Sequence, residues 1–337
     1  MEKNVLHYFV DTNSSRGFVS FWESNFGKLE KVVKLDGYPD LLVTQLVSQA
    51  CAQALGCEQE VELIHNCLDN SLQGIILPGQ KTGLLNLPAY GDESYSLRLA
   101  EDENLSKARE RVQRAYGCFG QALKIHDDWE RIFISSMDFE AMDELAEETA
   151  EKLFGGQKTD RAGSCADRFF GAATVNGSYD YIQYTQEIPK RYFLKGRPGT
   201  GKSTFLKMLA RAAQDRGYRT EAYHCAFDPN SLDMIAVREL GLCVFDSTAP
   251  HEYFPDRDSD EIIDIYKAAV QPGTDEKYEK EIAGYSAGYK AKVREATGYL
   301  GEAKLAYHQY QKSVLESVNP DRRIGSMDWI IGKLFGR

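Results

Sequence analysis

The sequence predicts an α/β protein made of two similar halves. Strand-like apolar segments alternate with helical segments, which is typical of βαβ units with a parallel sheet. The second half of the chain also repeats the first. At 337 residues, the chain exceeds the roughly 250–300 residues at which a single core usually stops growing. We therefore expect two domains, residues 1–158 and 159–337, each with a parallel sheet flanked by helices and an appended helical element.

The internal repeat consists of three blocks that occur in the same order in both halves. Residues 35–65 align without a gap with residues 194–224, and both segments end in Glu-x-x-His. The tripeptide Asn-Ser-Leu follows shortly afterwards in each half. A third block includes KLFG at residues 152–155 and again at 333–336. Because chance rarely produces three matches in order, the sequence predicts a duplication.

Each half is predicted to contain the same elements. An aromatic, alternating stretch that begins at Gly17 or Ser178 predicts the first strand. There follow a second strand, an amphipathic helix, a third strand, a short helix, a fourth strand and a long helical part. Those later strands and the helical part are predicted at 32–35, 61–65, 83–87 and 105–133 in the first half, and at 191–194, 220–224, 242–246 and 276–318 in the second.

The charge balance limits the classes of ligand. The chain has 40 basic and 51 acidic residues, a net charge of −11, and is poorly suited to coating a nucleic acid or an anionic membrane. Its apolar runs are far shorter than the roughly 18 residues of a membrane span, and its first residues lack the apolar segment of a secretory signal. We expect a cytoplasmic protein without membrane or direct nucleic-acid binding. Any anionic ligand must therefore be bound by a local group of residues, because the overall charge is unfavourable.

A glycine-rich turn in the second half is predicted to be such an anion-binding segment. It follows the apolar segment YFL and precedes an amphipathic helix. Its glycines let backbone N–H groups turn toward an anion, and the helix N-terminus adds the positive end of its dipole. In this GxxxxGKS pattern, the P-loop, the lysine reaches the β and γ phosphates of ATP and the serine ligates Mg²⁺. The predicted binding residues are Gly196, Arg197, Pro198, Gly199, Thr200, Gly201, Lys202, Ser203 and Thr204.

A carboxylate at the end of another strand completes the predicted site. Asp246 ends the apolar segment LCVFD and is expected to hold Mg²⁺ together with Ser203, although it could instead cap the turn that follows. Many ATPases place a glutamate next as the base for the attacking water, but here Ser247 follows, so fast hydrolysis is not expected. Asp228 is a candidate replacement, or else an N-cap for a helix that begins at Pro229.

Histidine and arginine residues near the loop have less defined roles. His224 recurs as His65 in the half that lacks phosphate-binding residues, which favours a structural role. Arg257 and Arg294 are only candidates for an arginine finger, because geometry across a closed site decides that role.

The loop and the segments after it resemble a known superfamily. The segment KGRPGTGKST resembles the P-loop NTPases, and together with HC-x-x-DPNSLD and VFDSTAPH it is similar to a bacterial family of tandem P-loop ATPases whose first repeat is degenerate. The resemblance covers nearly the whole chain. It implies two tandem P-loop NTPase-like domains and ATP binding, and it does not specify a reaction.

The first half has the same predicted strand, turn and helix as this site, but it lacks the binding residues. The aligned segment replaces the glycines, the lysine and the serine, and Asn86 replaces Asp246. An acidic group and bulky apolar side chains repel phosphate and fill the space of the nest. We therefore expect a nucleotide-free first domain. The replacing residues are Asp40, Leu41, Leu42, Val43 and Thr44.

Three functions fit these features. The leading hypothesis is a slow or partner-stimulated, Mg²⁺-dependent ATPase whose partner is another protein or a second copy of the chain. A kinase for a nucleotide or small molecule is the main alternative, because an acceptor hydroxyl makes the missing glutamate less important. A non-catalytic scaffold that senses nucleotide is the third. Phosphate release without an acceptor separates the first from the other two.

Overall fold

A computed structural model describes residues 4–35, 38–90, 102–248, 252–317 and 320–336. It is an α/β structure with mixed sheets flanked by helices, which confirms the predicted class. None of the helices in the described ranges is long and apolar enough to cross a membrane.

The elements of the first half include one 3₁₀ turn, Pro78–Gln80. The helices are α1 (Trp22–Phe26), α2 (Asp40–Leu55), α3 (Glu103–Ile134) and α4 (Phe139–Phe154). The strands are β1 (Val5–Phe9), β2 (Asp11–Ser14), β3 (Gly17–Ser20), β4 (Lys31–Lys34), β5 (Val61–His65), β6 (Leu72–Leu77) and β7 (Thr82–Leu85).

The second half contains 3₁₀ turns at Ile182–Glu187 and Arg238–Leu240. The strands are β8 (Ser164–Phe169), β9 (Gly171–Thr174), β10 (Gly177–Asp180), β11 (Lys190–Lys195), β12 (Arg219–His224), β13 (Leu232–Val237), β14 (Leu242–Asp246) and β15 (Glu261–Asp264). The helices are α5 (Lys202–Asp215), α6 (Ile265–Ala269), α7 (Thr274–Lys277), α8 (Glu279–Ser317) and α9 (Pro320–Leu334).

The chain divides into two compact units, and each is built from separate stretches of sequence. The long helices α3 and α8 each contribute residues to both units. The predicted boundary after residue 158 concerns the sequence repeat and stays a prediction. Unit 1 is Met1–Gly117, Gly171–Asp180 and Arg294–Arg337, and unit 2 is Cys118–Phe170 and Tyr181–Val293.

The strands of unit 2 form a mixed sheet in the order β15-β11-β14-β13-β12-β8. Strand β11 runs parallel to β14 and β15, whereas β13 is antiparallel to both of its neighbours. The prediction of a parallel sheet is therefore wrong. A short helix was expected where β13 lies, because a six-residue apolar run such as LDMIAV does not distinguish a strand from a helix by its periodicity.

The strands of unit 1 follow the same plan in the order β4-β7-β6-β5-β1. Strand β6 is antiparallel to β5 and β7, as β13 is to its neighbours. The register also shifts at the same place in both units, between Ile64 and His65 and between Tyr223 and His224. The shared strand order and irregularity support the predicted duplication.

Each unit has a core that includes the KLFG-bearing helix of the other half of the sequence. In unit 2, Met142 and Ala146 of α4 pack with the buried face of α5. In unit 1, Ile330 and Leu334 of α9 pack with Val43 and the rest of the buried face of α2. The hydrophobic pattern of α4 and α9 shows which face is buried but not which core receives it.

Candidate functional site

The glycine-rich turn lies between β11 and α5 and has the backbone of an anion nest. Gly199 and Gly201 have φ angles of +79° and +78°, in the left-handed region that glycine adopts without strain. A Cβ at Gly199 would also lie 2.4 Å from the backbone oxygen of Glu130. Both the conformation and the close approach therefore require glycine. Helix α5 begins directly afterwards at Lys202, so its N-terminal N–H groups belong to the same turn.

Thr200 holds the turn in this shape. Its buried hydroxyl donates a hydrogen bond to the carbonyl of Arg197 at 2.8 Å and accepts one from the Arg197 N–H at 3.1 Å. A Cβ at Gly196 would lie 2.5 Å from the same hydroxyl oxygen. The Arg197 side chain forms an ion pair with Asp275 at 3.0 Å. The backbone of Arg197 is therefore bonded within the turn. Pro198 is half-buried in the turn, and Thr204 is exposed at the start of α5.

The structure brings Lys202 and Asp246 together, as the sequence predicts. Lys202 Nζ donates to the carbonyl of Arg197 at 2.8 Å and lies 3.7 Å from Asp246 Oδ2. Only 11% of the Lys202 side chain is exposed. The ammonium group thus lies over the turn that contains the nest, where it can neutralise a bound anion.

Asp246 is positioned by the pairing of β14 with β11, in which it lies opposite Leu194. Its Oδ1 accepts hydrogen bonds from the N–H and the hydroxyl of Thr248, at 3.0 and 2.6 Å. Its Oδ2 faces Lys202. One oxygen therefore caps the following turn and the other faces the loop, so both roles considered from the sequence are compatible with the structure.

The predicted magnesium ligands are a hydroxyl and a carboxylate, the hard oxygen donors that Mg²⁺ prefers. The Ser203 hydroxyl oxygen accepts a hydrogen bond from the Leu232 N–H at 3.0 Å, which fixes it at the first turn of α5. Asp246 Oδ2 faces the same loop. The donor chemistry fits Mg²⁺ with water completing its coordination.

The position after Asp246 cannot supply a catalytic base. Ser247 is fully buried, and its hydroxyl donates to the carbonyl of Tyr253 at 2.6 Å. Lys195 donates to the carbonyl of Ser247 at 2.7 Å, and burial lowers the pKa of this lysine. Ser247 is thus part of a local structural network.

Asp228 lies in a turn between β12 and β13. Its carboxylate accepts the N–H of Asn230 at 3.3 Å, and its carbonyl accepts the N–H of Ser231 at 2.8 Å. The expected helix beginning at Pro229 is absent from this described stretch, so the N-cap interpretation is wrong. The turn leads directly into β13.

His224 and His65 have equivalent structural roles. Nδ1 of each histidine contacts the carbonyl oxygen of the residue five positions later, Pro229 at 2.6 Å and Asn70 at 3.0 Å. Nε2 of His224 contacts Asp167 at 3.0 Å. These contacts hold the turn after the strand in both halves.

The two arginine candidates, Arg257 and Arg294, belong to different units. Arg257 pairs with Asp260 at 3.3 Å and donates to the carbonyl of Gln186 at 3.1 Å. Arg294 lies on the part of α8 that belongs to unit 1. The arginine-finger role therefore stays an untested prediction for Arg294, and Arg257 has a structural role.

Sequence reasoning missed the end of α3, which reaches the loop. The backbone of Glu130 packs against Gly199, and the Gly199 N–H is close enough to the Glu130 carboxylate to help lower its pKa. Burial is the main cause that raises the pKa of Glu130, and nearby Lys202 opposes it. His126 lies on the same helix and is also close enough to Lys202 for that charge to lower its pKa, after the larger effect of burial. No motif links a helix of the first half to a loop of the second.

In unit 1, Val43 of the equivalent segment is packed into the core. Val43 stands at the position of Lys202 in the repeat, and its side chain is fully buried. Asp40, at the position of Gly199, has its pKa raised to about 7, chiefly by burial. Asp36 and Gly37 lie outside the described residues. The predicted loss of the phosphate nest agrees with this packing.

Comparisons with known proteins give no further assignment. The chain matches no protein-family model, and neither curated proteins nor solved structures gave a match.

Proposed function

We propose that the protein is an ATP-binding P-loop NTPase of the cytoplasm, and that it acts as a slow or partner-stimulated, Mg²⁺-dependent ATPase through unit 2. One observation carries the proposal. Lys202 lies 3.7 Å from Asp246 directly after a turn whose glycines have left-handed backbone conformations. A turn of backbone N–H groups, a helix N-terminus, a lysine and a carboxylate together match the needs of a nucleotide phosphate with its metal ion.

The residues of the proposed site have different roles in binding ATP and Mg²⁺. Pro198 has no N–H, and the N–H groups of Arg197 and Thr200 bond within the turn. The other backbone N–H groups between Gly196 and Lys202 bind phosphate oxygens, and Lys202 neutralises charge on the β and γ phosphates. Ser203 and Asp246 hold Mg²⁺, directly or through water. When bound, Mg²⁺ neutralises phosphate charge and helps to orient the phosphates. On binding, phosphate replaces the carbonyl of Arg197 as the partner of Lys202.

Slow turnover follows from the residue after Asp246. Ser247 is buried in its contacts with Lys195 and Tyr253, so this position has no carboxylate to orient water. A protein partner or a second copy of the chain would supply the missing group. The same feature favours a kinase as the second candidate, because an acceptor hydroxyl is itself the nucleophile. A nucleotide-sensing scaffold would bind without turnover.

Phosphate release by the purified protein tests the proposal. With ATP and Mg²⁺, we expect slow release that Asp246→Asn lowers by at least tenfold, since the metal carboxylate is lost. Asp258→Asn is the control, because Asp258 is an exposed aspartate of the same unit. Release that is equal in wild type and Asp246→Asn would contradict the ATPase assignment. ADP formation only with an added acceptor would instead support the kinase.

A further inference from the structure

Three potential metal ligands lie together near the end of α3. One ligand atom from each of His126, Asp127 and Glu130 lies within 4.8 Å of the others. His126 Nδ1 and Glu130 Oε1 are 3.6 Å apart. Two ligands of one Zn²⁺ ion, each at about 2.0–2.1 Å in tetrahedral geometry, are about 3.4 Å apart. A small side-chain rotation would therefore let both bind one ion.

This cluster touches the phosphate-binding loop. The carboxylate of Glu130 lies close to the N–H of Gly199, one of the nest residues. The backbone of the same residue leaves no space for a Cβ at Gly199. Asp228, in the turn after β12, is close enough to act electrostatically on both His126 and Glu130. Residues of α3 and of the turn after β12 therefore lie near one another beside the loop.

The imidazole of His126 lies among aromatic side chains. Aromatic rings surround it, with centroids at 5.7 Å for Tyr289, 6.1 Å for Phe227 and 6.3 Å for Trp129. These rings hold the imidazole beside the Glu130 carboxylate, with Nδ1 and Oε1 3.6 Å apart.

The cluster brings two carboxylates together. Asp127 and Glu130 each have a ligand oxygen within 4.8 Å of the other. Lys202 lies nearby and also contacts Asp246. A divalent ion would relieve the repulsion among the carboxylates.

We propose that His126, Asp127 and Glu130 bind a divalent first-row transition-metal ion beside the phosphate-binding loop. One imidazole with two carboxylates favours ions such as Zn²⁺, Co²⁺ or Fe²⁺ over Mg²⁺ and Ca²⁺, which prefer oxygen ligands alone. The site is separate from the Ser203 and Asp246 pair. Any effect of this ion on nucleotide binding rests on the proposed function. The binding of the ion itself does not depend on that function.

Titration of the chelator-treated protein with Co²⁺ alone, without nucleotide, tests the proposal by calorimetry and by visible absorption. We expect saturable binding of one ion per chain with nitrogen and oxygen ligation. His126→Ala and Glu130→Gln should each weaken binding by at least tenfold. His308→Ala is the control, because His308 is an exposed histidine on α8. Asp127→Asn, at an exposed position, gives a third test should either of the other variants fail to fold.

Lys202→Ala separates this proposal from the ATPase assignment. It should abolish ATP binding and strengthen Co²⁺ binding, because it removes a nearby positive charge. Co²⁺ binding without ATP binding by the wild type would support the ion site and contradict the nucleotide site. The ion site is wrong if Co²⁺ does not saturate, if Asp127→Asn and Glu130→Gln bind as the wild type does, or if the spectrum shows thiolate ligation that Cys57→Ser removes.

Discussion

The side chain of Asn86 makes two hydrogen bonds with the backbone of Tyr38. Its Oδ1 accepts the Tyr38 N–H at 3.2 Å, and its Nδ2 donates to the Tyr38 carbonyl at 3.1 Å. Asn86 occupies the position of Asp246 in the repeat. In unit 2 that position faces a lysine, whereas in unit 1 its amide fastens the turn that corresponds to the P-loop. The substitution of aspartate by asparagine thus accompanies a change from ion contact to backbone contact.

We predict that Val43→Ala destabilises the protein without changing ATP affinity. Val43 lies on α2 and is fully buried in the core that α2 forms with α9 and the sheet of unit 1. Removing its two methyl groups should therefore lower the free energy of unfolding by about 2 kcal/mol. Urea unfolding and equilibrium ATP binding measure the two effects. Leu41→Ala is the control, because the Leu41 side chain is 59% exposed. A tenfold loss of ATP affinity in Val43→Ala would show that unit 1 binds nucleotide.

We predict that Asp11→Asn removes a pH dependence of stability. Asp11 is fully buried, and burial raises its pKa to about 6, against about 3.9 in the unfolded chain. Between these values the folded state holds more protons, so stability falls as pH rises from about 4 to about 6. Because the charged form is disfavoured, this carboxyl should lower the stability of the wild type by about 2–3 kcal/mol between about pH 4 and neutral pH, whereas the variant, which has no carboxyl at this position, should lack that loss.

Urea unfolding of wild type and Asp11→Asn at about pH 4 and about pH 7 measures this difference. The hydrogen bond from Gln73 Nε2 to Asp11 Oδ2, at 2.7 Å, survives in the variant because asparagine keeps an acceptor oxygen. Asp258→Asn, at an exposed position, should keep the wild-type pH profile. Parallel pH profiles for wild type and Asp11→Asn would contradict the prediction.

We predict the opposite pH dependence for Asp260. The Arg191 guanidinium binds its carboxylate through two hydrogen bonds, at 2.9 and 2.5 Å, and the two side chains are 3% and 0% exposed. Burial alone would raise the pKa of Asp260, but the bonds with Arg191 outweigh it and hold the pKa well below its usual range. The stabilisation is present above about pH 4 and is lost as the pH falls toward the folded-state pKa.

Asp260→Asn should therefore lower the free energy of unfolding by about 3 kcal/mol at neutral pH, since it leaves Arg191 buried without its main counter-charge. The loss should shrink on acidification. Denaturant unfolding across that range measures it, and a loss that is independent of pH would argue against the ion pair as its source.

Local patterns in the sequence predicted the parts of the fold that depend on local chemistry. The helix α5 and the strand β14 lie where their apolar spacing predicted them. In the glycine-rich turn, the positive φ angles at Gly199 and Gly201 need glycine for a local reason. Strand β13 was mistaken for a helix because a short apolar run carries no period. Its antiparallel pairing depends on two neighbouring strands that are distant in sequence.

The contact between α3 and the glycine-rich turn, which the sequence did not predict, also depends on segments that are distant in sequence. The sequence predicted a helix over residues 105–133, and the structure has α3 at Glu103–Ile134. The contact of Glu130 with Gly199 depends on how that helix packs, which the helical period does not determine. The placement of α4 in unit 2 could not be predicted for the same reason.

Equilibrium binding of ATP in the presence of Mg²⁺, compared between wild type and Lys202→Ala, tests the central claim most directly. Lys207→Ala is the matched control, since Lys207 lies on the same helix and donates to the carbonyl of Asn230. The account predicts saturable binding by the wild type and by Lys207→Ala, and an affinity at least a hundredfold weaker for Lys202→Ala. Equal affinity in all three proteins, or no binding by the wild type, would contradict it.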